Sequence, residues 1–225
     1  MTSERRLHDP LTTLSVSRWF TVAVTAVDVF AGEICGVGSM LGVRVVIGRW
    51  PVSPFGPVAD AMVEDPAGRR VFIAQDEALV GYVSSIYAFD DVVVGPVDCE
   101  RSPDRLRFRG GHLCLDVTVG RRDVLGWALR TVPHRVAMNE KWVTFTDVAA
   151  RGLLRGVRTR GTTPGGTELY AATDRHRVSA IRGSWNNTDL GDLRDVDPPV
   201  RFGFSSTPRQ PSIVEITTMV HRTSG

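Results

Sequence analysis

Lysine is almost missing from this chain. Lys141 stands alone against 26 arginines in 225 residues. Lysine codons are AT-rich and many arginine codons GC-rich, so the ratio reads first as the mark of a GC-rich genome. Its physical consequence is a surface of planar guanidinium forks, which pair bidentately with carboxylates. Cysteine is scarce as well. Cys35, Cys99 and Cys114 are odd in number and lack C-x-x-C spacing, which excludes a disulfide framework and a cysteine zinc site. Cys114, in HLCLDV, reads as a small buried hydrophobe, and the compartment as reducing cytoplasm. No sustained apolar run exists: Phe20 to Val27 is too short to span a bilayer, and Asp28 and Glu33 interrupt its continuation. A secretory signal or anchor is the alternative reading of that stretch, because Arg5, Arg6 and Arg18 precede it.

Neither sign of charge dominates. With 27 basic and 25 acidic residues the net charge is +2, which argues neither for nor against a nucleic-acid or membrane partner. The arginines of alternating strands, Arg105, Arg107, Arg109, Arg158, Arg160, Arg175 and Arg177, read as a solvated sheet face without interleaved aromatics, and neither nucleic acid nor membrane is expected as a partner. The five histidines never stand at i, i+2 or i+4, so no local metal motif exists. There is no G-x-S-x-G elbow, no phosphate-binding loop and no dinucleotide fingerprint after a strand. No cofactor is expected.

What is present is strand pattern. From VRVVIGRW (43–50) onward, apolar and polar residues alternate in short runs closed by turn residues. VADAMVEDPAGRRVFIA (58–74) predicts a hairpin, with Pro66 presetting the turn and Gly68 taking its left-handed position. In DRLRFRGGHLCLDVTVG (104–120), Leu106 and Phe108 oppose Arg105, Arg107 and Arg109. Leu113, Leu115, Val117 and Val119 then make an inner face against His112, Cys114, Asp116 and Thr118. Further strands are predicted at 91–100, 141–148, 153–161, 167–173, 176–183, 200–204 and 212–220. Helices are predicted at 76–87, with apolar Leu79, Val80, Val83, Ile86 and Tyr87 on one stripe, and at 122–132. Strands this close in sequence pair antiparallel, and so wide a sheet curls. The fold class is therefore mainly β: an antiparallel meander curled into a barrel or two-layer structure, with one or two short helices. Residues 1–39, polar and then Gly-rich, are expected to be an arm outside a single β-rich domain of residues 40–225, with the functional chain opening at Met40.

Two stretches stand out, GRWPVSPFGPVAD (48–60) and RGSWNNTDLGDL (182–193). Each sets a tryptophan beside a loop rich in Pro, Gly or Asn. Trp50, Phe55, Trp142 and Trp185 are the candidate ligand-binding residues, at the mouth of a barrel that takes a small apolar molecule. The alternative is an enzyme acting on a carbonyl or carboxylate substrate. Lys141, in MNEKWVTF, would be its Schiff-base amine, or a cross-strand pair drawn from His112, Asp116 and His176 its acid–base centre.

The segments GRWPVSPFGPVADAMVEDPAGRR, YAFDDVVVGPV and PPVRFGFSSTPRQPS resemble an uncharacterised protein family of GC-rich actinobacteria over residues 43–221. That resemblance implies no activity, cofactor or catalytic residue. A likeness to lipocalin-type barrels rests on architecture and implies fold alone.

Overall fold

A computed structural model of the chain describes residues 27–137, 160–163, 166–203 and 207–222. The predicted strands at 141–148 and most of 153–161, together with Lys141 and Trp142, lie outside them.

The elements run β1 (Val27–Ser39), β2 (Arg44–Val52), β3 (Val58–Glu64), β4 (Arg70–Ala74), α1 (Glu77–Ser84), β5 (Asp91–Val94), β6 (Val97–Ser102), β7 (Arg105–Gly110) and β8 (Leu113–Arg122). Next come α2 (Val124–Thr131), α3 (His134–Ala137), β9 (Arg160–Thr163), β10 (Gly166–Trp185), the two-residue β11 (Thr188–Asp189) and β12 (Leu193–Arg194), and β13 (Ser212–Arg222). The main path through the sheet is β5-β4-β3-β2-β1-β13-β10-β8-β7-β6. The fold class is as expected, a mainly β structure with one curled antiparallel sheet. One pair departs from it: β4 and β5 run parallel, because α1 supplies the crossover that a parallel pair requires.

The curl follows from the chain path. β5 and β6 are the two ends of the path, yet Gly95–Pro96 alone separates them in sequence. A link that short spans roughly 10 Å, so the ends lie close and the sheet wraps round its inward face. That face carries Cys35, Val37, Val45, Ile47, Ala61, Val63, Val71 and Ile73 from β1–β4. They pack against Leu106, Phe108, Leu113, Leu115 and Val117 from β7–β8, with Val178, Ile181, Trp185 and Ile213, as one buried cluster. The alternation predicted for 104–120 is the alternation observed.

The Met40 boundary does not hold. Val27–Ser39 is a central strand, paired to β13 from Val27↔His221 to Gly36↔Ser212 and to β2 from Ala31↔Val52 to Gly38↔Arg44. Its glycines are required by its outer neighbours. A Cβ on Gly36 would stand 1.8 Å from Thr207 Oγ1, and one on Gly38 2.2 Å from the Asp195 carbonyl oxygen. Residues 193–195 and Thr207 thus lie directly against the β1 backbone. Two other expectations change. The strands predicted at 167–173 and 176–183 are one strand, β10, and 200–204 is not a strand over its described residues. Cys114 is exposed on the outer face, whereas Cys35 is the buried thiol.

The same substitution should act oppositely at two glycines. Gly38→Ala is expected to cost about 1–3 kcal/mol by steric overlap. Gly81→Ala, mid-helix in α1 with nothing within 4 Å of the added carbon, is expected to gain about 0.5–1 kcal/mol. Urea unfolding of both variants checks the signs.

Candidate functional site

The face of β1–β4 that points away from the core is covered. In antiparallel ladders directly opposed residues share a face, so the pairs Arg44↔Glu64, Val46↔Met62, Gly48↔Asp60 and Trp50↔Val58 all lie on it. Over them sit α1, capped by Asp76 accepting from Leu79 N at 2.8 Å, the loop around Phe55, the segment Ile86–Phe89 and residues 196–202. Bulges interrupt β1 between Ala31 and Glu33 and β10 between Ala172 and Asp174. Bulges bend strands, and beyond them the outer residues of β1 and β10 meet the same covering layer. Tyr82 donates to Asp28 at 3.0 Å and Tyr87 to Glu168 at 3.0 Å.

Four rings gather at this layer. Phe30 stands edge-on to Trp50 (centroids 5.7 Å) and touches Tyr82 (5.4 Å) and Phe55 (6.4 Å), and Phe55 is edge-on to Tyr82 (5.4 Å). Such edge-to-face contacts are the favoured arrangement of aromatic quadrupoles.

Three carboxylates in this layer are served very differently. Glu64 is fully buried and takes hydrogen bonds from Arg201 N (2.8 Å) and Nε (2.9 Å), with Arg44 Nη2 at 3.3 Å. That pairing is what a buried charge requires. Glu168, also buried, accepts from Tyr170 (2.6 Å) and Tyr87 (3.0 Å), and the two phenols contact each other. Burial pushes the Glu168 carboxyl up, while the two phenol hydrogen bonds pull it down less strongly. Burial first and then the neighbouring Glu168 hold Tyr87 well above the usual phenol range. Gly203 makes the Tyr87 position possible, since a Cβ there would meet its ring at 2.5 Å.

Asp60 is the exception. It is 5% exposed, and among the described residues its one hydrogen-bond donor is Trp50 Nε1 at 3.0 Å, with no cation in reach. Burial raises its carboxyl to about 7 against the lowering effect of the indole. Gly48 leaves room for this pair: a Cβ there would stand 2.5 Å from Trp50 Nε1 and 2.9 Å from Asp60 Oδ2. Near neutral pH Asp60 is therefore an acid poised between its two forms, under a lid of rings.

Of the candidate ligand residues, the structure brings Trp50 and Phe55 together through Phe30, on the outer face rather than at a barrel mouth. Trp185 is core, 7% exposed, with His112 edge-on at 6.5 Å. His112, Asp116 and His176 do not form one centre. Asp116 is held by Arg107 (3.1 Å) and Arg109 (2.9 Å). His176 pairs across the ladder with Arg122, six positions along β8 from Asp116, roughly 20 Å at strand rise. Its neighbour is Asp174, at 3.6 Å. No group of three or more His, Cys, Asp or Glu that could hold a metal occurs among the described residues, and no helix among them is long and apolar enough to cross a membrane. A cleft of about 280 Å³ lies by the β1–β2 turn, lined by Ser39, Gly42, Arg44, Arg194, Asp195 and Asp197. Arg44 there is bound to Glu64, and Asp195 and Asp197 to Arg209 (3.3 and 3.0 Å), so most of its charges are already partnered.

Sequence reasoning missed Asp60, Glu168, Tyr87 and Tyr170. A signal existed for Asp60: one carboxylate between alanines inside the apolar run VADAMV, at a position that strand period buries.

No family model, no curated protein and no solved structure matches this chain. The resemblance to an actinobacterial family and the likeness to lipocalin-type barrels gain no support from these comparisons.

Asp60 makes a signed prediction. Its folded value lies above the ordinary carboxylate value, so the folded state binds the proton more tightly. This stabilisation is complete below about pH 4 and is lost as pH rises through about 7. Asp60→Asn is expected to remove that loss, on the order of a few kcal/mol, and to be more stable than the wild type at pH 8. Denaturant unfolding at pH 5 and pH 8 measures it; identical pH dependence in both proteins contradicts the assignment.

Proposed function

We propose that the protein binds a small, mainly apolar molecule in the covered outer layer of β1–β4. The rings of Phe30, Trp50, Phe55 and Tyr82 take its body, and Asp60 takes one hydrogen-bond-donating or cationic group on it. The observation that carries this reading is the contrast along one strand face. Glu64 is matched by two arginines, whereas Asp60, four residues away, is buried with a single indole donor. A buried acid left without its counter-charge costs stability, and sites that keep such groups are where function concentrates. The inward face supports an interior ligand less well, because its residues already pack on one another as a single buried cluster.

The second reading, an enzyme acting on a carbonyl or carboxylate substrate, also has its best support at Asp60. An acid titrating near the working pH suits proton transfer. The His176–Asp174 contact offers weaker support, since Arg122 already holds that carboxylate bidentately.

Native mass spectrometry of the protein purified from its own host tests the proposal. A retained small molecule is expected in the wild type, lost or strongly reduced in Phe55→Ala and Asp60→Asn. A bound molecule that both variants keep undiminished lies elsewhere and contradicts the site.

A further inference from the structure

The covered outer layer has a buried polar floor and a half-buried aromatic rim. Asp60, Glu168 and Thr218 are 5%, 1% and 6% exposed. Trp50, Phe55, Tyr82, Tyr87 and Tyr170 are half-buried around them.

Contacts join floor and rim into a closed circuit. Trp50 Nε1 donates to Asp60 at 3.0 Å, and the Trp50 ring meets Phe30 edge-on. Phe30 lies directly opposite Thr218 across the β1–β13 ladder, and Thr218 lies opposite Tyr170 across β13–β10. Directly opposed residues share a face, so these three side chains stand side by side in the layer. The Tyr170 and Tyr87 phenols contact each other. Burial first, then Glu168 and more weakly Asp60 hold the Tyr87 phenol above its usual range. The influence of Asp60 on Tyr87 closes the circuit, so Asp60, Trp50, Phe30, Thr218, Tyr170 and Tyr87 surround one region.

That region holds acceptors without a cation. Glu168 Oε2 accepts from both Tyr170 and Tyr87, and donors to a carboxylate favour its ionised form. Asp60 has its one indole donor. No arginine, lysine or histidine among the described residues pairs with either carboxylate. Thr218 Oγ1, on a different strand from both acids, is buried and has no hydrogen-bond partner among the described residues. Elsewhere in the same layer Glu64 receives two arginines. The missing element here is therefore a positive charge that also donates hydrogen bonds. A neutral donor satisfies an acceptor but leaves a buried carboxylate without its counter-charge.

We propose that the molecule bound in this layer is an organic ammonium ion, a protonated primary amine carried on an apolar body. This names the ligand class of the site proposed above and rests on that proposal. Asp60 and Thr218 Oγ1 accept from the ammonium, and the negative charge of Glu168 lies behind the two phenols. The rim attracts the same group, since the negative faces of aromatic rings favour a desolvated cation.

The experiment is an NMR titration of the full chain at pH 8 with 2-phenylethylamine and, separately, 2-phenylethanol. The alcohol keeps the ring, the chain length and a hydrogen-bond donor but carries no charge. The signal followed is the Trp50 indole N–H, assigned by its loss in Trp50→Phe. The amine is expected to shift it to saturation and to bind at least about tenfold more tightly than the alcohol. Asp60→Asn, which keeps the shape and removes the charge, is expected to abolish that preference. Thr218→Val, which removes the unpartnered hydroxyl, is expected to weaken the amine several-fold. Alcohol bound as tightly as amine leaves the outer-layer site standing and overturns the ammonium assignment. A preference that survives Asp60→Asn, or undiminished amine binding in Thr218→Val, also overturns that assignment. A Trp50 signal unmoved by both probes overturns the site and the assignment together.

Discussion

Burial of β1–β4 on both faces is the constraint on which the rest of this structure depends. A sheet covered on one side alternates apolar and polar residues; one covered on both must also account for each polar group under its second layer. Here that accounting is visible residue by residue. Arg44 and Arg201 pair with Glu64 and tie residues 196–203 to β3, with the Arg44 Nε left without a partner among the described residues. Tyr87 and Tyr170 satisfy Glu168. Glycines 36 and 38 let Thr207 and residues 194–195 lie against the β1 backbone. Asp60 is the least served carboxylate of the layer, with one donor and no cation among the described residues, and the functional proposal stands on that imbalance.

The chain path explains why the site is outside the curl and not within it. Passing from β5 to β6 through Gly95–Pro96 brings the two ends of the sheet close, so inward side chains from both halves meet and fill the space between them. The remaining layer with aromatic area and incompletely paired polar groups lies under α1. The same crossover that places α1 there makes β4–β5 the one parallel pair on the main path. A single connection therefore sets the sheet's edge pairing and roofs the candidate site.

Much of this fold was readable as period. The hairpin at 58–74 turns where Pro66 and Gly68 demand, with Gly68 at φ +85, and α1 keeps to its apolar stripe. The face assignment of Leu106, Phe108, Leu113, Leu115 and Val117 needed alternation alone. What failed to register was written by neighbours distant in sequence. β1 hid because glycine, placed there for close backbone approach, breaks the apolar pattern. β10 looked interrupted at Asp174–Arg175 because those two charges are paired by Arg122 and Asp123, which no local window includes. Trp50 and Phe55 were found by their unusual setting, but Asp60 was passed over, since a carboxylate is notable only once burial and the missing cation are known.

Everything proposed for the outer layer comes down to the state of one carboxyl group. Carbon-13 NMR of the Asp60 side-chain carboxyl, traced from pH 3 to pH 9, reads it directly. A midpoint near 7 is expected, as burial requires. A midpoint near 4, the value of an ordinary solvated aspartate, would show that the group is hydrated or already paired and would contradict the site.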